Sequence, residues 1–157
     1  MLPFKRFCVA AALLGALAPV AAQDKPAVQY DAALAQSLGA DDMGMRSYVL
    51  VILKTGPNKM ADAEERKKMF AGHFANIQRL AAEKKLVLAG PLDGVEGRRG
   101  IFVFNTPDID EAKQFVATDP VIVNGEMVAE YHKFYGSAAL MAVNEMHAKI
   151  DKKTAKP

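Results

Sequence analysis

The stretch GHFANIQRLAAEKKLVLAGPL, Gly72–Leu92, changes its period halfway along. Up to about Lys85 the spacing is helical. Phe70, just upstream, begins a stripe that runs through His73, Ile77 and Leu80, with Phe74 and Ala81 beside it. After Lys85, LVLAGPL is a short apolar run with Gly90-Pro91 near its end, which reads as a strand. A helix therefore feeds directly into a strand. His73 sits in the apolar stripe where a leucine would pack better.

Working outward, SYVLVILKT (47–55) precedes the helix. Both of its alternating sets are apolar: Tyr48, Leu50 and Ile52, then Val49, Val51 and Leu53. Such a strand is expected to be buried on both faces. Gly56-Pro57-Asn58 breaks it, and the helix is expected from about 61 to 85. Downstream, DGVEGRRG is a glycine-rich connection and GIFVFN (100–105) a third strand, again apolar on both sides. TPDIDEAKQFVATDP reads as a second helix, with Asp108 as N-cap, Asp110 and Glu111 in the first turn and Pro120 as the stop. EMVAEYHKFY (126–135) is the fourth strand, ended by Gly136. SAALMAVNEMHAKI reads as a C-terminal helix with Leu140, Val143, Met146 and Ile150 on one side.

No repeat shows by residue identity, yet strand–helix–strand occurs twice. The order βαββαβ is the ferredoxin-like arrangement, an α+β fold with two helices on one face of a four-stranded antiparallel sheet. The first and third strands are apolar on both faces, but the helices cover only one. A bare apolar face is rare on a monomer. The expected cover is a second copy packed sheet to sheet, giving a dimeric α+β barrel. The C-terminal helix, or an N-terminal arm folding back, is the alternative cover.

The N-terminus, MLPFKRFCVAAALLGALAPVAAQ, reads as a secretory signal peptide over 1–22. Lys5 and Arg6 precede an apolar run that is too short to favour a membrane span. Val20 and Ala22 place the cut after Ala22; a retained anchor is the alternative. A periplasmic or secreted protein is expected, with no membrane attachment after cleavage. Cys8 lies early in the apolar run, so it does not resemble a lipid-attachment cysteine, and it is the only cysteine. The mature chain then has no thiol for a disulfide, a nucleophile or a metal. The full chain carries 20 basic and 18 acidic residues; losing Lys5 and Arg6 leaves 18 of each. That balance gives no electrostatic case for nucleic acid. Residues 23–46 form a lead-in arm with a short helix expected from Tyr30 to Leu38, Asp31 in its first turn. Residues 47–136 form the main domain. Residues 137–157 are the C-terminal helix and a basic tail, whose Lys152, Lys153 and Lys156 read as a solvated end.

A lone histidine on an apolar helix face is usually a satisfied structural group. The alternative is a working acid/base held in a pocket. Asp119 bears on the choice. With the two helices antiparallel, the end of the second lies beside the N-terminal half of the first, so Asp119 can approach His73. A carboxylate at a helix C-terminus faces the negative end of the dipole, costing about 0.3–1 kcal/mol, which a partner cation would offset. Against this, Asp-Pro is an ordinary helix stop. An imidazole oriented by a carboxylate would suit proton abstraction, elimination, isomerisation or hydration. The residues alone leave both readings open.

The remaining groups point less clearly. Glu130 and His132 share a strand face, either lining a barrel interior or, as favoured, forming an edge-strand pair in water. His147 reads as solvent-facing. Arg98 and Arg99 flank a glycine turn and could meet an anion, although a solvated loop is favoured. Tyr48 and Lys54 share a face, with Tyr48 expected in the core. Three histidines without clustered spacing make a poor metal site. The eight methionines are scattered and read as packing. No phosphate loop, nucleophile elbow or Walker pattern is present, and nothing demands a cofactor.

Residues from about 47 to 135 resemble the YCII-related (YciI-like) family. The matching pieces are YVLVILK, HFANIQRLAAEKKLVLAGPL, GIFVFNTPDIDEAKQFVATDP and the closing strand. The most specific parts are His73, the Gly90-Pro91 strand exit and the Asp119-Pro120 step. The resemblance implies a dimeric α+β barrel and an active site pairing the helix histidine with the Asp-Pro aspartate, here His73 and Asp119. It also implies lyase-type chemistry, which in some members acts on chlorinated aromatics. The signal peptide, arm and C-terminal helix lie outside the common domain, and Lys84 stands where a glycine often follows the first helix. The reading is an exported small-molecule enzyme, homodimeric, of lyase or isomerase type. His73 would be its acid/base and Asp119 would orient it. A non-catalytic ligand-binding protein, or an interaction module docking through the C-terminal helix, is the alternative.

Overall fold

The computed structural model describes residues 28–153. The signal-peptide segment 1–22 and Lys156 lie outside them. From Asp31 onward the described residues form one compact unit.

The central strand is β1, Met45–Thr55. Helix α2 (Ala63–Ala82) follows, then β2 (Leu86–Pro91) and β3 (Arg98–Phe104). Two helices, α3 (Ile109–Val116) and α4 (Pro120–Val123), lead into β4 (Met127–Ser137). The sheet order is β2-β3-β1-β4, with every neighbouring pair antiparallel. This is the ferredoxin-like α+β arrangement that the order of elements implies.

β1 is buried on its helix-side face, whereas on the other face Tyr48 is buried and Leu50 and Ile52 are half-buried, short of the burial on both faces that its doubled apolar pattern implies. Val49, Val51 and Leu53 pack into the helix-side core with Leu80, Phe102, Phe104 and Val116. Helix α2 begins where the Asp62 carboxylate accepts the Glu65 amide at 2.8 Å, with Glu64 and Glu65 in its positive first turn. Its buried residues are Met69, His73, Asn76 and Leu80, while Phe70 and Ile77 are partly buried. The helix ends in a six-to-one, five-to-two carbonyl cap: the Lys85 amide meets Leu80 and the Lys84 amide meets Ala81, at 2.9 and 3.0 Å. That cap puts Lys84 at φ 57, the left-handed region that favours glycine. Lys84→Gly is therefore expected to stabilise the fold by about 1 kcal/mol, read as a higher urea midpoint at unchanged slope. An equal or lower midpoint would contradict the strain.

The second helix differs from its sequence reading. Asp108 caps it as expected, accepting the Asp110 amide at 2.8 Å. Pro120, however, does more than stop it. It opens the short α4, for which proline's fixed φ and missing amide suit the first turn. Asp119 is thus an N-cap whose carboxylate accepts the Val121 amide at 3.1 Å. The dipole cost expected of a helix-terminal carboxylate is replaced by a capping bond.

The second sheet face is covered in part by this chain. After β4 a 3-10 turn, Ala138–Ala142, leads into α5, Val143–Ile150, in place of one continuous helix. Leu140 and Met141 pack against Tyr48, Val87 and Val103. Asn144 donates to the Leu86 carbonyl at 2.8 Å. The apolar stripe reaches no further: Met146 and Ile150 are exposed. Ile52 and Ile101, further along the same face, stay partly exposed. Helix α1, Ala32–Leu38, has Asp31 as its N-cap and is tied down by Arg46. The Arg46 guanidinium donates to the Leu38 carbonyl at 2.8 Å and to Asn105 Oδ1 at 2.7 Å. Among the described residues no helix is long and apolar enough to cross a membrane.

Candidate active site

His73 lies midway along α2, and Asp119 lies at the joint between α3 and α4. The joint is brought to the helix by a close approach: a Cβ built on Gly72 would stand 3.1 Å from Pro120 Cγ. A larger side chain beside His73 would hold the joint away. The loop is also clasped from α2. Asn76 Oδ1 accepts from Arg79 at 2.7 Å and lies 3.0 Å from the Thr118 hydroxyl. Asn76 Nδ2 is buried without a hydrogen-bond partner, so this clasp is held at some cost.

His73 Nδ1 sits 2.9 and 2.8 Å from the two oxygens of Asp119. Asp119 is 0% exposed and His73 7%. A carboxylate only accepts, so the Nδ1 N–H donates to it and Nε2 is left as the ring's free nitrogen. Phe70, Phe74 and Phe102 surround the imidazole, with ring centroids 6.1, 5.4 and 6.0 Å away. Among the described residues the ring makes no other hydrogen bond.

The ring forms part of the wall of a cavity of about 400 Å³. Leu53, Phe70, Phe74, Ile77, Phe102 and Met127 supply most of its side chains, and the backbone of β2 and β3 at Gly90, Pro91 and Gly100 closes one side. Two lining residues carry ionisable groups, His73 and Arg99. An apolar cavity with few polar groups is the usual form of a small-molecule site. Such a site can bind a ligand about the size of a single ring and present one basic nitrogen to it.

Near Phe70 a buried carboxylate organises the start of β4. Glu126 accepts from Arg66 Nε and Nη2 at 3.0 and 2.6 Å and from the Met60 amide at 3.1 Å. The Arg66 hydrogen bond, aided by the Met60 amide, holds the Glu126 carboxyl below its ordinary value of 4.5, against its burial. A carboxylate lowered in the folded state stabilises the fold above its unfolded value and loses that contribution as pH falls through the folded one. Glu126→Gln is therefore expected to cost about 2 kcal/mol near neutral pH. The gap from wild type should narrow as pH drops below 4.5, as urea unfolding across pH 3 to 7 would show. A gap independent of pH would contradict the assignment.

The other sequence candidates separate. Glu130 and His132 share the second face, 2.9 Å apart, with Lys54 3.4 Å from the same carboxylate, and all three are more than 40% exposed. That is the edge-strand pair in water. Tyr48 is core, its hydroxyl donating to the Ser137 carbonyl at 3.0 Å. His147 is exposed. The two arginines part company: Arg98 pairs with exposed Glu96 at 2.7 Å, whereas Arg99 lines the cavity. Both belong to β3, not to a solvated loop. Among the described residues no group of three or more His, Cys, Asp or Glu could hold a metal ion. Asn76 escaped sequence reading because nothing in a single polar residue on a helix marks it as buried, and Thr118 because an exposed turn residue carries no sign of the contact it makes.

The class of protein is a ferredoxin-like α+β domain with an imidazole in the wall of an apolar cavity and a buried carboxylate behind it. The chain belongs to the YCII-related domain family, whose match covers residues 47–134 and contains both members of the pair. The uncharacterized protein YjpA of Bacillus subtilis (strain 168) is 34% identical over 55 residues, 35% of this chain and 62% of YjpA. The matched segment thus spans about three-fifths of that curated relative's length. Among solved structures, this chain is similar to the 5-chloro-2-hydroxyhydroquinone dehydrochlorinase TftG from Burkholderia phenoliruptrix AC1100, solved with 2,5-dihydroxybenzoquinone. The identity is 19%, the TM-score 0.40, and the match covers 55% of this chain and 92% of that one.

Proposed function

We propose that this protein is a small-molecule acid–base enzyme of lyase or isomerase type. The observation that carries the reading is the His73 ring, tied through Nδ1 to fully buried Asp119 and set in the cavity wall. Nε2 takes a proton from an acidic C–H or O–H of the bound molecule. Asp119 stays ionised, holds the ring's orientation and stabilises the imidazolium that forms. In an elimination the electron pair of the broken C–H bond becomes the new π bond. The leaving group departs with its own pair, and the proton on Nε2 passes to it or to water. In an isomerisation the same proton returns to a different carbon. Phe70, Phe74 and Phe102 give the ring apolar surroundings.

The test is a panel of small enolisable and phenolic compounds incubated in D2O and followed by proton NMR. Deuterium incorporation or product should appear with wild type and vanish in His73→Gln. It should fall by about 100-fold or more in Asp119→Asn, with circular dichroism unchanged. Saturable binding with no exchange or product across the panel would move the cavity to the ligand-binding reading.

The reading includes export, supported by the signal-like segment 1–22; N-terminal sequencing of the mature protein should begin at Gln23. It also includes a homodimer closed sheet to sheet over Ile52 and Ile101, the part of the second face the C-terminal segment leaves partly exposed. Light scattering should give twice the chain mass, reduced to one chain in Ile52→Lys. A wild-type monomer would contradict the dimer.

A further inference from the structure

The cavity's second ionisable group, Arg99, has no role in the proton transfer and, among the described residues, no hydrogen bond or ion pair of its own. In the β1–β3 ladder Leu53 pairs with Gly100 and Lys54 with Arg98, so Arg99 is the extra residue of a β-bulge. Strict alternation would place Arg99 on the face opposite Gly100. The bulge breaks that alternation, and Arg99 lines the same cavity as Gly100.

Its charge is unspent. Among the described residues the Arg99 guanidinium makes no hydrogen bond or ion pair, whereas Arg98 is paired with Glu96. Glu126 feels the Arg99 charge, but both oxygens of Glu126 are already taken by Arg66 and the Met60 amide. Two guanidiniums around one carboxylate leave one positive charge in excess. Asp119 cannot supply the balance, because it is fully buried against His73. A partly buried guanidinium without a partner is unfavourable, and its planar fork matches a carboxylate. Arg99 and Phe102 lie three residues apart on β3, roughly 10 Å along the strand, and Phe102 packs against His73. That span suits a single ring bearing a carboxylate.

We propose that the cavity takes a small planar ring carboxylate, its carboxylate on the Arg99 fork and its ring among Phe70, Phe74 and Phe102. The reacting atom then lies at His73 Nε2. The last clause rests on the acid–base reading; the binding does not.

Benzoate and benzyl alcohol, one ring with and without the charge, are titrated into the full chain by 15N–1H NMR. Wild type should bind benzoate about tenfold or more tighter than benzyl alcohol. Arg99→Gln should lose that preference while binding benzyl alcohol as before. Arg99→Lys, which keeps charge but not the fork, should fall between them. His73→Gln should keep the preference. Retained preference with no exchange in the D2O panel would sink the acid–base reading and leave the Arg99 site standing. Equal benzoate affinity in wild type and Arg99→Gln overturns the site. So does wild type that does not prefer benzoate.

Discussion

Asp119→Ala is expected to lower the free energy of unfolding by about 3 kcal/mol. Asp119 is fully buried and accepts from two groups, the His73 Nδ1–H and the Val121 amide. Alanine leaves both donors without a partner, and each unpaired buried donor costs about 1–3 kcal/mol. The lost N-cap of α4 falls within that sum. Asp119→Asn should cost less, about 1 kcal/mol, because the amide oxygen can still accept from Val121. Urea unfolding at pH 7 measures both. If Asp119→Ala unfolds at the wild-type midpoint, the contact is not part of the fold.

Gly56→Ala is expected to cost about 3 kcal/mol or more. A Cβ on Gly56 would stand 2.1 Å from the Gly125 carbonyl oxygen and 2.9 Å from the Glu126 carbonyl carbon. Both are backbone atoms, so no side chain can rotate away. The two segments are tied there by the Gly56 amide to Glu126 at 2.9 Å and the Asn58 amide to Gly125 at 3.1 Å. Relief must part the end of β1 from the start of β4, dragging Glu126 from Arg66 and shifting Met127 in the cavity wall. A urea midpoint within experimental error of wild type would show that the crossing has room to open.

The order of elements was legible because each has a clean signature. The doubled apolar pattern of 47–55 marks a strand with apolar side chains on both faces, and the change of period at Lys85 marks the step from helix to strand. What sequence could not show depends on single-residue shifts. Proline both ends and begins helices, so Pro120 read as a stop while it opens α4. The bulge at Arg99 breaks the alternation of β3, and the sequence has no sign of it. The C-terminal segment has an apolar stripe at helical spacing, yet its first turn is 3-10 and Leu140 and Met141 carry the packing. The meeting of His73 and Asp119 followed from the direction of the helices; its distance needed Gly72 to admit Pro120.

The most direct test of the His73–Asp119 pair is the tautomer of the neutral His73 ring, read from two-bond 15N–1H correlations. In wild type the proton should sit on Nδ1, donated to Asp119, with Nε2 free toward the cavity. In Asp119→Asn the amide N–H2 can face the ring, and the proton should move to Nε2. If the wild-type ring carries its proton on Nε2, or if the two proteins show the same tautomer, Asp119 does not orient His73, and the acid–base account of this cavity is wrong.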